Sequence, residues 1–400
     1  MNEKGRMLVP IRKLLSVCIY ANLEACQIIR QYYYHESLKD KSSSNSSNNS
    51  NNSIRYKEEG DSRSVVTKAD IDAQCKIMSI LRKQEPWGPH IHIIGEEDDD
   101  EVSTSSTPTT TTNHNNEDED EAISNILQQI FPQTTHNVEE ENDESVPMDE
   151  LCIFIDPLDG TREFVENRIQ NVGCLIGITR NGKAIAGTIG VPFPSNHKDA
   201  SSSCFIRYAL LNHEKKNNDN NNPIISGIWP QDDTTPEGNI KDTTTTTNDN
   251  DTTTEDGGTI IYTGDSKNKV LASVVQHAKQ IILESNKEAE EELQHIIVGG
   301  TAAKLTLIAT STTASMAILH VGTSVWDTVA TEALVRSNGG HVTDFLGRPL
   351  ETHSHPSKIK NLYGVIASSS KARSYHDQLC QTIQQQQTDP TLLHRILNPE

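Results

Sequence analysis

Ile153-Phe154-Ile155-Asp156-Pro157-Leu158-Asp159-Gly160-Thr161 is the stretch best equipped for chemistry. Three apolar residues read as a buried strand running into two carboxylates three apart. Gly160-Thr161 then opens a turn, from which Arg162 to Arg168 can begin a helix. Carboxylates at a strand end, beside backbone N–H groups at a helix start, suit a metal ion and a phosphate together. Pro157 removes a donor and stiffens the turn. Gly160 lets the backbone approach a ligand, and Thr161 offers a hydroxyl that can accept or pass on a proton. The same residues also make an Asx-turn that caps a helix, with both acids in solvent. The stretch alone leaves both readings open, and its partners elsewhere in the chain decide between them.

Three further acids stand at the ends of elements. Asp70 follows Val65-Val66-Thr67-Lys68-Ala69 in the first turn of a helix whose apolar spacing predicts Ile71, Cys75, Met78 and Leu81 as its buried face. The helix dipole favours a carboxylate there, so capping alone explains it. Glu96 and Glu97 end the strand Ile91-His92-Ile93-Ile94 after a turn at Gly95. Asp327 follows Trp326 at the start of the apolar run Val329, Ala330, Ala333 and Leu334, where N-capping is again sufficient. Gly299-Gly300-Thr301 steps from strand to helix, which suits either a phosphate contact or close packing. Lys304, one turn later, is placed to reach a second anionic group or to be a surface lysine. His90 and His92 share a strand face with no third ligand near and read as structural or solvated. Trp326 reads as core.

The elements that must position these residues divide the chain in two. Ile11, Leu14, Leu15, Cys18, Ala21, Ala25 and Ile29 recur at helical spacing after Pro10. Val172 to Thr179 and Lys183 to Val191 read as strands joined by Asn181-Gly182, a strong hairpin signal, and Ile224 to Trp229 extends the sheet. Residues 1–258 therefore read as an N-terminal α+β unit with an antiparallel sheet. Low-complexity insertions interrupt it near 42–53, 98–147 and 197–258, and only Ala122 to Phe131 looks helical within the second. Residues 259–400 alternate strand and helix: Thr259 to Thr263, Lys267 to Leu283, Ile296 to Val298, Thr301 to Thr310, Met316 to Leu319, Trp326 to Arg336, His341 to Thr343 and Tyr363 to Ala367. That alternation argues for an α/β layer.

Composition narrows the class. Hydrophobic content is 34%, so part of the chain is not core. The net charge is −21, and 18 Asp and Glu with no Lys or Arg fall between Glu96 and Glu150. The remainder is near neutral, which argues against a duplex nucleic-acid partner. The seven cysteines form no Cys-x-x-Cys pair, as in a reduced, cytoplasmic protein rather than a disulfide scaffold. The apolar run from Ile11 to Ile29 carries Arg12, Lys13 and Glu24, unlike a signal peptide or membrane span. No membrane partner is expected.

Asp70, Glu96, Asp156, Asp159 and Asp327 together supply hard oxygen ligands of the kind Mg²⁺ prefers. Two such ions roughly 3.5–4 Å apart can activate water and stabilise a leaving oxygen in phosphoryl transfer. Residue chemistry thus reaches a carboxylate-bound Mg²⁺ phosphohydrolase.

The wording and order of the motifs go further. Gly95-Glu96-Glu97, Asp156-Pro157-Leu158-Asp159-Gly160-Thr161, and Trp326-Asp327-x-x-Ala330 followed by Gly339-Gly340 resemble the inositol monophosphatase superfamily, from about Ile11 to Ala367. Thr67-Lys68-Ala69-Asp70, Thr161-Arg162-Glu163-Phe164 and Lys304 after Val298-Gly299-Gly300 are most like its 3'(2'),5'-bisphosphate nucleotidase branch. The resemblance implies a layered αβαβα sandwich of the inositol monophosphatase and sugar phosphatase type. It also implies two or three Mg²⁺ ions and inhibition by lithium. Glu96, Asp156 and the Leu158 carbonyl would hold one ion, and Asp156, Asp159 and Asp327 a second. Asp70 and Thr161 would orient and deprotonate the attacking water. The Gly160 and Thr161 amides would receive the phosphate, with Gly300 and Lys304 against the rest of the substrate.

Two departures stand out. Nucleotidases usually carry Arg-Ser-His-Ser early in the second half, where this chain has Gly264-Asp265-Ser266-Lys267, with Ser266 at the place of the histidine. Thr310-Ser311-Thr312-Thr313 replaces a stretch that often carries glycine. The expected activity is hydrolysis of the 3'-phosphate of adenosine 3',5'-bisphosphate to AMP and phosphate. The alternatives are an inositol (poly)phosphate 1-phosphatase with the same metal site and, more remotely, an inactive metal- or nucleotide-binding regulator.

Overall fold

The computed structural model describes residues 5–42, 54–56, 65–97, 116–132, 145–194, 203–211, 225–230, 258–285, 293–350, 359–385 and 390–397. Residues 43–53, 98–115, 133–144, 195–202, 212–224 and 231–257 lie outside them, and with them most of the three low-complexity insertions.

Apolar periodicity builds the first layer. The predicted stripe Ile11, Leu14, Leu15, Cys18, Ala21, Ala25 and Ile29 is buried along one face of helix Ile11–Ser42. Full burial of each large side chain contributes about 1.5–3 kcal/mol. With helix Lys68–Arg82, it covers the outer face of a six-stranded sheet. The strand order is Ile225–Trp229, Phe205–Leu210, Lys183–Val191, Gly173–Arg180, Leu151–Asp159, His92–Gly95. Neighbours are antiparallel except the last pair, which is parallel. Asn181 and Gly182 both have positive φ, 51° and 77°, as the predicted two-residue hairpin requires.

Helices Thr301–Thr310 and Val329–Ser337 form the middle layer. Their apolar residues, including Leu305, Ile308, Ala330 and Leu334, pack Leu175 and Ile189 of the first sheet against Tyr262, Ala317, Val342 and Val365 of the second. That second sheet runs Gln294–Ile297, Ile260–Thr263, Ser315–Leu319, Val365–Ser368, His341–Thr343. Its first three strands are parallel and its last two antiparallel to their neighbours. Helices Lys269–Ser285, Arg373–Gln384 and Pro390–Leu397 close its outer face. The layers are α, β, α, β, α, the sandwich expected from the motifs.

Three elements differ from expectation. Phe205–Leu210 is a strand inside a region read as unpatterned. Ser145–Pro147 pairs with Leu8–Pro10, ahead of the first helix. The acidic-region helix is Asn116–Ile130, starting six residues before Ala122, with Glu117, Asp118 and Glu119 in its first turn where the dipole favours them. No disulfide links any of the seven cysteines. Among the described residues no helix is long and apolar enough to cross a membrane.

Candidate active site

Leu151–Asp159 lies between two helical layers, and all nine of its residues are buried. That position explains the continuous apolar run before Asp156. Residues three apart on a regular strand face opposite ways. Here the register against Gly173–Arg180 slips by one residue: Asp156 pairs with Leu175, but Asp159 pairs with Gly173. The bulge at Pro157-Leu158 turns both carboxylates to one side. The parallel neighbour adds a third acid, because Gly95 pairs with Ile155 and Glu96 N–H donates to Ile155 O at 3.0 Å. The carboxylates of Asp156, Asp159 and Asp327 come within 4.8 Å of one another. Glu96 lies outside that group of three but shares a hydrogen bond with Asp156.

Burial, reinforced by like charge, raises these acids. Burial pushes the Asp156 carboxyl well above its usual range, with Glu96, Asp159 and Asp327 adding to the effect. Burial raises Asp327 to about 8, with Glu96 and Asp159 adding. Burial also raises Asp159, to about 6, against the lowering effects of Lys304 and two amides. Such a set of hard oxygens, buried and mutually repulsive, fits a divalent cation.

The capping readings divide. Asp327 accepts from Ser324 N–H, upstream, at 3.1 Å, and not from the helix that follows. Asp159 does cap a helix, but one distant in sequence: Thr301 N–H and Ala302 N–H donate to its two oxygens at 2.9 Å each. In the step Gly299-Gly300-Thr301, the Thr301 amide, together with that of Ala302, is therefore taken by this chain's own carboxylate, and the step is closely packed. A Cβ on Gly300 would lie 2.4 Å from Asn171 O and 2.8 Å from Asp159 Oδ2, and its φ is +69°. Only glycine fits.

Asp70 serves two partners. Thr67 N–H donates to its Oδ2 at 2.8 Å, as in a capping box. Its Oδ1 faces Thr161 Oγ1 at 3.0 Å, and the same hydroxyl lies 3.1 Å from Leu158 O. Burial raises Asp70 to about 6, while the Thr67 hydroxyl lowers it. The hydroxyl thus stands between the Leu158 carbonyl, in the turn from Asp156 to Asp159, and a separate, weakly acidic carboxyl.

Beside Asp159 opens a cleft of 190 Å³. Gly160, Ser266, Gly300 and Lys304 line it, as do Arg162, Asp265, Leu319 and His320. Thr161 is not in its lining. Ser266 Oγ accepts Asn268 N–H at 3.3 Å. Lys304 is buried. Its ammonium donates to Val298 O at 3.1 Å and Gly300 O at 2.5 Å, which commits two of its three hydrogens. Burial lowers its pKa against the pull of Asp159 and Asp327.

Gln74 is a site residue that sequence reasoning missed. Its amide accepts Glu97 N–H at 3.1 Å and donates to Glu97 O at 2.9 Å, pinning the backbone that carries Glu96. A Cβ on Gly95 would meet it at 2.4 Å. The available signal was a glutamine four residues after Asp70, on the buried side of its helix.

The sequence profile of the inositol monophosphatase family matches residues 12–388. Two curated relatives are both named 3'(2'),5'-bisphosphate nucleotidase 1. The one from Dictyostelium discoideum is 28% identical over 92% of this chain and 96% of its own length. The one from Homo sapiens is 27% identical over 76% of this chain and 78% of its own. Among solved structures, the extragenic suppressor protein SuhB from Bartonella henselae aligns over 92% of this chain and 98% of its own, with a TM-score of 0.52 at 15% identity. The profile spans nearly the whole chain, across both sheets and every acid of the cluster, and on that ground the chain belongs to the inositol monophosphatase family.

Proposed function

We propose that the chain hydrolyses the 3'-phosphate of adenosine 3',5'-bisphosphate to AMP and phosphate with the help of Mg²⁺. Membership of the family makes it a phosphoric monoester hydrolase acting on a small phosphate ester. The observation that carries the proposal is the gathering of Asp156, Asp159 and Asp327 beside the Asp70–Thr161 pair. The names of the curated relatives support the nucleotide as substrate.

Glu96, Asp156, the Leu158 carbonyl, Asp159 and Asp327 would hold the cations. Each oxygen of Asp159 spends one lone pair on a helix amide and keeps another for a ligand. Bound divalent cations supply neutralising charge and make a nearby water more acidic. Thr161 and Asp70 would manage that water's proton. With Asp70 ionised, the Thr161 hydroxyl donates to Oδ1 and its own lone pairs accept from water, so a proton passes from water through Oγ1 to Asp70. A carboxyl at about 6 is a suitable base near neutral pH. The Gly160 and Thr161 amides would receive the phosphate. The remainder of the substrate would occupy the cleft against Gly300, Ser266 and Lys304.

An inositol (poly)phosphate 1-phosphatase on the same site is the second reading. Asp265 and Ser266 favour it, because both line the cleft and both bind hydroxyls readily. Phosphate release from a panel of nucleotide and inositol phosphates, with Mg²⁺ and with or without Li⁺, decides between them. The proposal expects adenosine 3',5'-bisphosphate to give the highest kcat/KM, with Li⁺ inhibiting. Preference for an inositol phosphate overturns it.

A further inference from the structure

One ion pair spans the mouth of the cleft. Arg162 comes from helix Thr161–Val165 on the first-sheet side, and Asp265 from the turn after strand Ile260–Thr263 of the second sheet. Arg162 Nη1 donates to Asp265 Oδ2 at 2.6 Å, and its Nε donates to Glu166 Oε1 at 2.8 Å. Both members line the cleft, Arg162 at 36% and Asp265 at 61% side-chain exposure, so ligand and solvent reach both. The guanidinium holds the Asp265 carboxyl below its ordinary range. Two other cations near the cleft are largely committed, and Lys267 stands outside its lining. Lys304 is buried and donates to two carbonyls, and Arg168 is paired with Glu163 and Glu166. Of the five N–H groups of Arg162, Asp265 and Glu166 engage two. A phosphate that takes the terminal Nη1–Nη2 fork with two oxygens therefore meets Asp265 at Nη1.

We infer that Arg162 is a specificity-determining residue for the phosphate that is not cleaved, and that Asp265 is a built-in anion competing with that phosphate for its guanidinium. The inference rests on the bisphosphate reading above and deepens it. A phosphate carries more charge than a carboxylate and matches the guanidinium fork with two oxygens, so it displaces an exposed carboxylate partner. Displacement leaves Asp265 unpaired beside the incoming anion, which weakens every ligand with a second phosphate at this position. A substrate with one phosphate, bound at the acid cluster, leaves the pair intact. Asp265 thus sets a threshold against bisphosphorylated ligands, a repulsive element within an attractive site. It occupies the turn where the chain departs from the nucleotidase pattern, Gly264-Asp265-Ser266-Lys267.

The two members therefore have opposite signs. The measurement is kcat and KM for adenosine 3',5'-bisphosphate and for adenosine 3'-monophosphate, in the wild type and in Asp265→Asn, Arg162→Ala and Arg162→Lys. For the bisphosphate, Asp265→Asn lowers KM about threefold and Arg162→Ala raises it about tenfold, the size of one partly exposed charge-assisted contact. Arg162→Lys, which keeps charge but not the fork, falls between wild type and Arg162→Ala. In all three variants kcat moves less than KM, and the monophosphate KM moves less than the bisphosphate KM. A rise or no change in bisphosphate KM on Asp265→Asn overturns the inference, as do equal shifts on both substrates. Those results leave the bisphosphate reading standing. Absence of phosphate release from the bisphosphate by the wild type overturns both.

Discussion

Neutralising one acid of the cluster stabilises the metal-free protein. The substitution is Asp327→Asn, which is isosteric and keeps an oxygen for Ser324 N–H. Asp327 is raised from 3.8 to about 8, first by burial and then by Glu96 and Asp159. A folded value above the unfolded one favours the protonated fold. The stability it contributes is whole below the unfolded value and is lost as pH rises through about 8. Four units at about 1.4 kcal/mol each set an upper limit of about 6 kcal/mol. Asp156, Asp159 and Asp327 lose their protons as a set, and water entry relieves part of the repulsion, so about 2 kcal/mol is expected in practice. In a chain of this size that is about 4 °C of melting temperature. Thermal melts with chelator should place Asp327→Asn above wild type at about pH 8.5 and level with it at about pH 3. Excess Mg²⁺ should reverse the order at the higher pH. At about 100 times its Kd a ligand adds about 2.7 kcal/mol to the protein that binds it. A metal-free variant less stable than wild type at high pH would refute the reasoning, showing the carboxylates to be held by hydrogen bonds rather than strained by one another.

Three more predictions follow from single contacts. Lys304→Ala should raise the KM for adenosine 3',5'-bisphosphate about tenfold, the lower end of a charged contact of roughly 1.5–3 kcal/mol, because two of its hydrogens are already committed; comparing kcat and KM with a singly phosphorylated substrate checks this. Gln74→Ala removes both hydrogen bonds that the side chain makes to the buried Glu97 backbone, which should cost about 1–3 kcal/mol in a melt. It should also weaken Mg²⁺ binding by calorimetry, since Glu96 loses its anchored backbone. His376 bridges Thr343 Oγ1 at 2.8 Å and Ser368 Oγ at 3.0 Å, and burial, with His341 adding, lowers it to about 3. The unfolded chain takes up that proton first, so stability should fall by up to about 1.4 kcal/mol per pH unit between pH about 6.5 and about 3. Urea titrations of wild type and His376→Gln should show a shallower slope in the variant.

Local pattern carried the sequence reading far. The stripe from Ile11 to Ile29, the Asn181-Gly182 turn and the strand–helix alternation after residue 258 each express a period set by nearest neighbours, and each is present. Five acids at element ends were also legible, because strand ends and helix starts announce themselves. What could not be read depends on distant partners. Period two puts Asp156 and Asp159 on opposite faces, and only a slip against Leu175 and Gly173 unites them. Asp159 capping Thr301 and Ala302 spans more than a hundred residues. Phe205–Leu210 is buried on both faces, so it lacks the alternation that marks a half-exposed strand, and Arg207 interrupts its apolar run. Lys304 reads as a long cation at a helix start, and nothing in its neighbours along the chain says that Val298 O and Gly300 O receive it.

The central claim is that one set of carboxylates, joined at Asp156, performs Mg²⁺-assisted hydrolysis of adenosine 3',5'-bisphosphate. Phosphate release from that substrate by wild type and Asp156→Asn, titrated with Mg²⁺ alongside a melt of each protein, tests it most directly. Mg²⁺-dependent turnover by the wild type, and its near-complete loss in a variant that still folds, is the predicted result. Near-normal release by Asp156→Asn at any Mg²⁺ concentration would contradict the account.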